Sequence, residues 1–141
     1  MTLALWHATP GSEGRVKAAE HLFDNPVSVE ATARFLGSDA NHLVVAYVDG
    51  APAGFVSGTE ISHPDQPKPE LFLNELGVDP AFRGRGVGRA LVAKLWEIAQ
   101  SHGCRGMWVL TDGDNEAACR TYAAAGGSPM GAEIMFQWGE T

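Results

Sequence analysis

The sequence predicts an α/β fold: two early helices, an antiparallel meander, one parallel strand–helix–strand crossover and a last helix–strand unit. Three observations predict it. The middle of the chain carries apolar runs of strand character, His42–Val48 and Ala53–Ile61, joined by the hairpin signal Asp49-Gly50. A third run, Leu71–Val78, leads through a glycine-rich loop into a segment from Gly86 to Ser101. There Val87, Leu91, Leu95 and Ile98 recur at helical spacing. A short apolar strand, Met107–Leu110, comes next, and strand, helix and strand in that order imply a parallel, right-handed crossover.

The remaining elements follow from local pattern. Leu3, Leu5 and His7 alternate as a first strand. Val16, Ala19, Leu22 and Phe23 read as one helix over Ser12–Phe23, interrupted before Pro26. Ser28 caps a second helix running to Leu36, and Gly37 stops it. Pro64, Pro67 and Pro69 make Ser62–Pro69 a loop, because proline cannot donate to a ladder. Gly77, inside the third strand, marks a bulge or a close backbone approach. Beyond Gly103, Asp112 or Asp114 caps a last helix bearing Ala117, Ala118, Tyr122 and Ala125, and Gly126-Gly127 end it. Glu133–Trp138 alternates as a final strand.

At 141 residues one domain, 1–141, accounts for the chain without repeat or linker. Ten basic against seventeen acidic residues give a charge of −7, which argues against nucleic acid as the partner and suits a cationic one. The longest apolar run, Leu43–Val48, is far shorter than the ~20 residues of a membrane span, and no signal-peptide pattern opens the chain. The expectation is a cytoplasmic protein. Cys104 and Cys119 lack metal or disulfide spacing, and the histidines at 7, 21, 42, 63 and 102 are scattered, so no metal site is expected.

The informative stretch is the loop Arg83-Gly84-Arg85-Gly86-Val87-Gly88-Arg89. Glycines let the backbone approach a ligand closely, and the helix N-terminus behind them offers unpaired N–H groups to a pyrophosphate. Three arginines in seven positions concentrate positive charge in an otherwise acidic chain. The dinucleotide fingerprint fails, because Arg89 stands where its third glycine belongs, and the P-loop fails for want of Gly-Lys-Ser/Thr.

Arg83–Gly88 resembles the acyl-CoA pyrophosphate loop of the GNAT N-acetyltransferases, written Gln/Arg-x-x-Gly-x-Gly/Ala. Leu76-Gly77-Val78-Asp79-Pro80 looks like that family's fourth strand and its exit. Asn115, Ala118 and Tyr122, followed by Ala124-Ala125-Gly126, resemble its second cofactor segment. Within the superfamily, Phe72–Leu76 and Glu133-Ile134-Met135-Phe136 are similar to elements of the small aminoglycoside 3-N-acetyltransferases.

The resemblance implies a GNAT-like mixed, mostly antiparallel sheet with helices on both faces and one parallel βαβ crossover at the cofactor site, and acetyl-CoA as acetyl donor. It also implies a primary amine as acceptor, on a small cation such as an aminoglycoside or on a protein N-terminus or lysine. An acyl-CoA-binding module without turnover is the alternative of a different class. Main-chain groups of Leu76 and Val78 would pair with the pantetheine arm, with Asn115 as a further partner or as ordinary first-turn chemistry. The loop amides and arginines from Arg83 through Gly84, Arg85, Gly86, Val87 and Gly88 to Arg89 would hold the pyrophosphate, and an N–H near Gly77 the thioester oxygen. Glu75 is the candidate base, or else a carboxylate that binds the cationic acceptor. Tyr122 would protonate the departing thiolate, or else serve as a core aromatic. Glu60, Asp112 and Glu133 are candidates to ring the acceptor site, and family habit suggests a homodimer.

Overall fold

The computed structural model describes residues 1–131 and 133–140. Five strands form one sheet in chain order: β1 (Leu3–His7), β2 (Asn41–Val48), β3 (Ala51–His63), β4 (Gln66–Val78) and β5 (Met107–Trp108). The first four pair antiparallel, and only β4 with β5 is parallel. Helices α1 (Glu13–Lys17), α2 (Val29–Leu36), α3 (Val87–Ser101) and α4 (Glu116–Ala124) complete the described elements.

Alternation along the strands makes two cores, one on each face of the sheet. Val44, Ala46 and Val48 of β2 join Val56, Leu71 and Leu73 beneath the buried face of α3, formed by Val87, Leu91, Val92, Leu95, Ile98 and Ala99. Their neighbours Leu43 and Val45 point the other way, with Phe55, onto Val16, Ala19 and Leu36. Phe23 stacks on Phe55 with ring centroids 4.1 Å apart and closes that second core.

The expected single helix over Ser12–Phe23 is divided. After α1 the chain turns at the fully buried Ala19 into a 3₁₀ turn, Glu20–Leu22. The Glu20 carboxylate accepts both the Lys17 ammonium at 3.0 Å and the Val27 N–H at 3.2 Å, which ties this turn down. Leu22 and Phe23 thereby reach the sheet. The second helix forms as expected, its Ser28 hydroxyl accepting the Ala31 N–H at 3.1 Å.

The proline segment is a correction too. Residues 62–69 are mostly strand, because β3 and β4 continue outward to a tight turn at Pro64-Asp65. The register slips between Ile61 and His63, and Pro67 and Pro69 sit in the slipped stretch, where the ladder does not need their missing N–H. Glu70 fastens this hairpin to the start of β5, accepting from Arg105 at 2.6 Å and from the Trp108 indole at 2.9 Å.

Two expected strands fall short. β5 spans two residues rather than four, and Leu110 is exposed. Among the described residues, 133–140 form no strand. Ile134, Met135, Phe136 and Trp138 alternate in sequence but are all solvent-exposed, since no strand lies beside them to supply a ladder or a buried face. Leu95 is wholly buried between α3 and the sheet, so Leu95→Ala is expected to cost about 2–5 kcal/mol, measured by urea unfolding.

Candidate active site

β4 is where the sheet opens. Ser57 pairs with Glu75 and Gly58 with Leu73, so Asn74 is an extra residue, a β-bulge. Before the bulge odd positions, Leu71 and Leu73, face α3; after it even ones, Leu76 and Val78, do. Pairing with β5 stops at Phe72, just short of that point. A groove of about 920 Å³ occupies the resulting gap, lined by Asn74–Val78 on one side, by Thr111, Asn115, Thr121 and Tyr122 on the other, and floored by the start of α3.

Hydrogen-bond parity identifies which main-chain groups face the groove. The Asp79 N–H bonds the Ala53 carbonyl at 2.8 Å. In an antiparallel ladder the pairs then alternate, so Gly77 and Glu75 direct their main chain at β3, while Leu76 and Val78 direct theirs outward. Val78 shows this directly, its carbonyl accepting Arg83 Nε at 3.3 Å. The Gly77 N–H is therefore engaged within the sheet, and the free N–H groups are those of its neighbours Leu76 and Val78. What Gly77 contributes is the absence of a side chain: a Cβ there would lie 2.8 Å from the Phe55 ring and 3.2 Å from the Leu22 carbonyl. It marks a close approach, and the bulge lies three residues earlier.

The loop follows from the same strand. Asp79 accepts the Ala81 N–H at 2.9 Å and starts a 3₁₀ turn, Pro80–Phe82. Gly84 and Gly86 then adopt φ of +75° and +80°, which favour glycine. The first helical bond of α3 runs from the Ala90 N–H to the Gly86 carbonyl, so the N–H groups of residues 86–89 have no acceptor within the helix. They project at the groove together with the partial positive charge of the helix N-terminus. Arg83, Gly84, Gly86, Val87, Gly88 and Arg89 line it, while Arg85 does not; its guanidinium lies 5.6 Å from the Phe82 ring centroid. Gly88 lets α4 come close, since a Cβ there would lie 3.2 Å from the Thr121 methyl.

Glu75 and Tyr122 stand on opposite walls. Glu75 is exposed and, among the described residues, pairs with no cation within 4 Å. Tyr122 is partly buried, and that burial, followed by the Cys119 thiol, pushes its phenol above the ordinary value. Asn115, rather than either expected aspartate, caps α4: its Oδ1 accepts the Ala118 N–H at 3.1 Å, leaving its amide N–H₂ as a donor. Of the expected acidic ring, Glu60, Asp112 and Glu133 do not line the groove, whereas Asp24 does. Asp24, Leu22 and Phe55 were not legible as site residues, because distant turns and strands bring them there.

The Acetyltransferase (GNAT) family model matches residues 9–126. The chain belongs to the GNAT acetyltransferase family. It is 34% identical over 128 residues to the N-alpha-acetyltransferase RimI of Mycobacterium tuberculosis, covering 91% of this chain and 78% of that protein. It is 32% identical over 120 residues to a mycothiol acetyltransferase of Nocardiopsis dassonvillei, covering 85% of this chain and 33% of that one. An uncharacterized protein of Mycobacterium leprae is 32% identical over 126 residues, which are 87% of this chain and 34% of that one. The chain thus spans about a third of the length of two of these relatives. In fold it resembles an aminoglycoside acetyltransferase from an uncultured soil metagenomic sample, solved with sisomicin, at a TM-score of 0.88 and 14% identity, covering 99% and 97% of the two chains. The mixed, mostly antiparallel GNAT sheet with one parallel pair is as the sequence predicts. No helix among the described residues is long and apolar enough to cross a membrane.

Added methyl groups at Gly84 and Gly86 would meet no atom within 4 Å, so any cost there is conformational. Gly84→Ala and Gly86→Ala are each expected to lower unfolding free energy by about 1–2 kcal/mol in urea titrations.

Proposed function

We propose that this protein moves an acetyl group from acetyl-CoA to the primary amine of a small cationic acceptor, an aminoglycoside being one such class, by direct attack in a ternary complex. The observation that carries this reading is the single groove in which a glycine-lined helix N-terminus, an unpaired strand edge, Glu75 and Tyr122 meet. The residues suit the donor. The N–H groups of residues 86–89 and the Arg83 and Arg89 side chains would take the pyrophosphate. The outward main chain of Leu76 and Val78 would pair with the pantetheine arm as an added strand, with the Asn115 amide as a further donor. Arg85 would add charge at the loop's outer side.

The donor, when bound, supplies an activated thioester carbonyl. The N–H of Leu76 or Val78 would stabilise charge developing on that carbonyl oxygen. An amine is mostly protonated at neutral pH, so a group must take its proton before attack; Glu75, unpaired and facing the groove, would do so directly or through water. Tyr122 would then donate its phenolic proton to the leaving thiolate. Burial favours that role, because raising the pKa favours the protonated phenol that has the proton to give. The acidic balance of the chain and Asp24 on the groove wall suit a cationic acceptor.

A second reading, acetylation of a protein N-terminus, is favoured by the likeness to RimI over 91% of the chain. Acetyl-CoA-dependent thiol release over a panel of aminoglycosides, polyamines, amino acids and short peptides, with products identified by mass, separates the two. Aminoglycoside or polyamine turnover supports the first, and peptide turnover alone replaces it with the second. Binding of acetyl-CoA with no thiol release from any acceptor would leave a binding module.

Tyr122→Phe and Glu75→Gln are each expected to lower kcat about a hundredfold or more with little change in acetyl-CoA affinity. Near-normal turnover in either variant removes that residue's role. The sign of the Tyr122 shift also sets a pH expectation. The acid form is the active one, so any alkaline decline of kcat from this group should set in at higher pH than an ordinary, solvent-exposed tyrosine would give.

A further inference from the structure

At the far end of α3, about 22 Å along the helix from the glycine loop, the fold gathers a second set of chemical groups. His42 begins the inward-facing row of β2 that continues through Val44, Ala46 and Val48. Glu60 lies diagonally across on β3, on the same face, since His42 pairs with Gly58. His102 caps the C-terminus of α3 above both. His42 Nε2 lies 2.6 Å from Glu60 Oε2, and His102 Nδ1 lies 3.1 Å from that same oxygen. The three potential ligand atoms all fall within 4.8 Å of one another.

We propose that His42, Glu60 and His102 form a divalent transition-metal site, with zinc the favoured ion. Two imidazole nitrogens and a carboxylate oxygen are a donor set that zinc accepts, leaving a fourth position for water. The surroundings fit a cation. Glu60 is mostly buried, and no lysine or arginine among the described residues pairs with it within 4 Å. Lys94, the nearby cation of α3, is drawn instead to Glu97 at 3.3 Å. His42 is 3% exposed and held from behind, its Nδ1 lying 3.3 Å from His7 Nε2. With metal on Nε2, His42 would carry its proton on Nδ1 and donate it to His7, the outer partner that orients a metal-binding histidine. His102 is partly exposed and gives the ion a way in. The ion would join β2, β3 and the end of α3, whose other end carries the glycine loop.

The test titrates the 141-residue, tag-free chain with zinc chloride in competition with a chromophoric zinc indicator. The expected result is one ion per chain with a Kd in the micromolar range or tighter. Zinc at about a hundred times that Kd should raise the thermal midpoint by several degrees. Glu60→Gln and His102→Ala should each weaken binding by at least about a hundredfold, and His7→Ala by about ten- to a hundredfold. His102 is a surface residue, so its variant is expected to keep its circular dichroism spectrum; His63→Ala, whose imidazole faces Glu70 at 3.3 Å and not Glu60, should bind zinc as the parent does. Absence of stoichiometric binding at micromolar zinc overturns the proposal. So does equal affinity in the parent and a folded His102→Ala variant. The titration needs neither acetyl-CoA nor acceptor, and its outcome is independent of the proposed catalytic activity.

Discussion

The structure depends on a mismatch in β4. β3 pairs this strand from Gln66 to Val78, apart from the slip and the bulge, whereas β5 pairs only two of its residues. The extra residue at Asn74 reverses which side chains face α3 and turns the end of the strand away from its parallel neighbour. Had β5 continued to pair, the main chain of Leu76 and Val78 would be spent inside the sheet and no groove would exist. The opening needs an anchor where the strands still touch. Glu70 supplies it, holding Arg105 and the Trp108 indole at the start of β5.

α3 turns that opening into a chemical site and links it to the rest of the molecule. Its buried face, centred on Leu91 and Leu95, holds the helix against β2, β3 and β4, so its N-terminus cannot drift from the end of β4. The two ends of one rigid element therefore present different chemistries. At the start, backbone N–H groups without helical acceptors and nearby arginines concentrate positive charge in a chain of net charge −7. At the finish, an imidazole approaches a buried carboxylate and a second imidazole.

How much of this was legible in the chain depended on how local each signal is. The hairpin at Asp49-Gly50, the Ser28 cap and the amphipathic run of α3 are decided within a few residues, and the structure has them where the pattern puts them. The glycine loop is local too, because positive φ at Gly84 and Gly86 is a property of single residues. The failures involve partners. Prolines in 62–69 suggested a loop, yet a tight turn takes Pro64 and a register slip absorbs Pro67 and Pro69. The alternation in Glu133–Trp138 is strand-like, but the described segment has no neighbour to pair with. Ala19 interrupts the first helix because its burial against the sheet outweighs helical continuity.

The sequence by itself determined the fold class and the glycine loop that opens α3; through resemblance it also pointed to the candidate carboxylate at Glu75 and to Asn115 and Tyr122 on the second wall of the groove. Each of these resides in a contiguous stretch whose backbone or periodicity is dictated by its own residues. Only the tertiary structure decided that the Leu76 and Val78 main chain faces outward, that Asp24 and not Glu60 borders the groove, and that His42, Glu60 and His102 meet. Those facts depend on strand register and on the seating of a helix. Register is set by pairing between segments far apart in the chain, and no spacing within one segment encodes it.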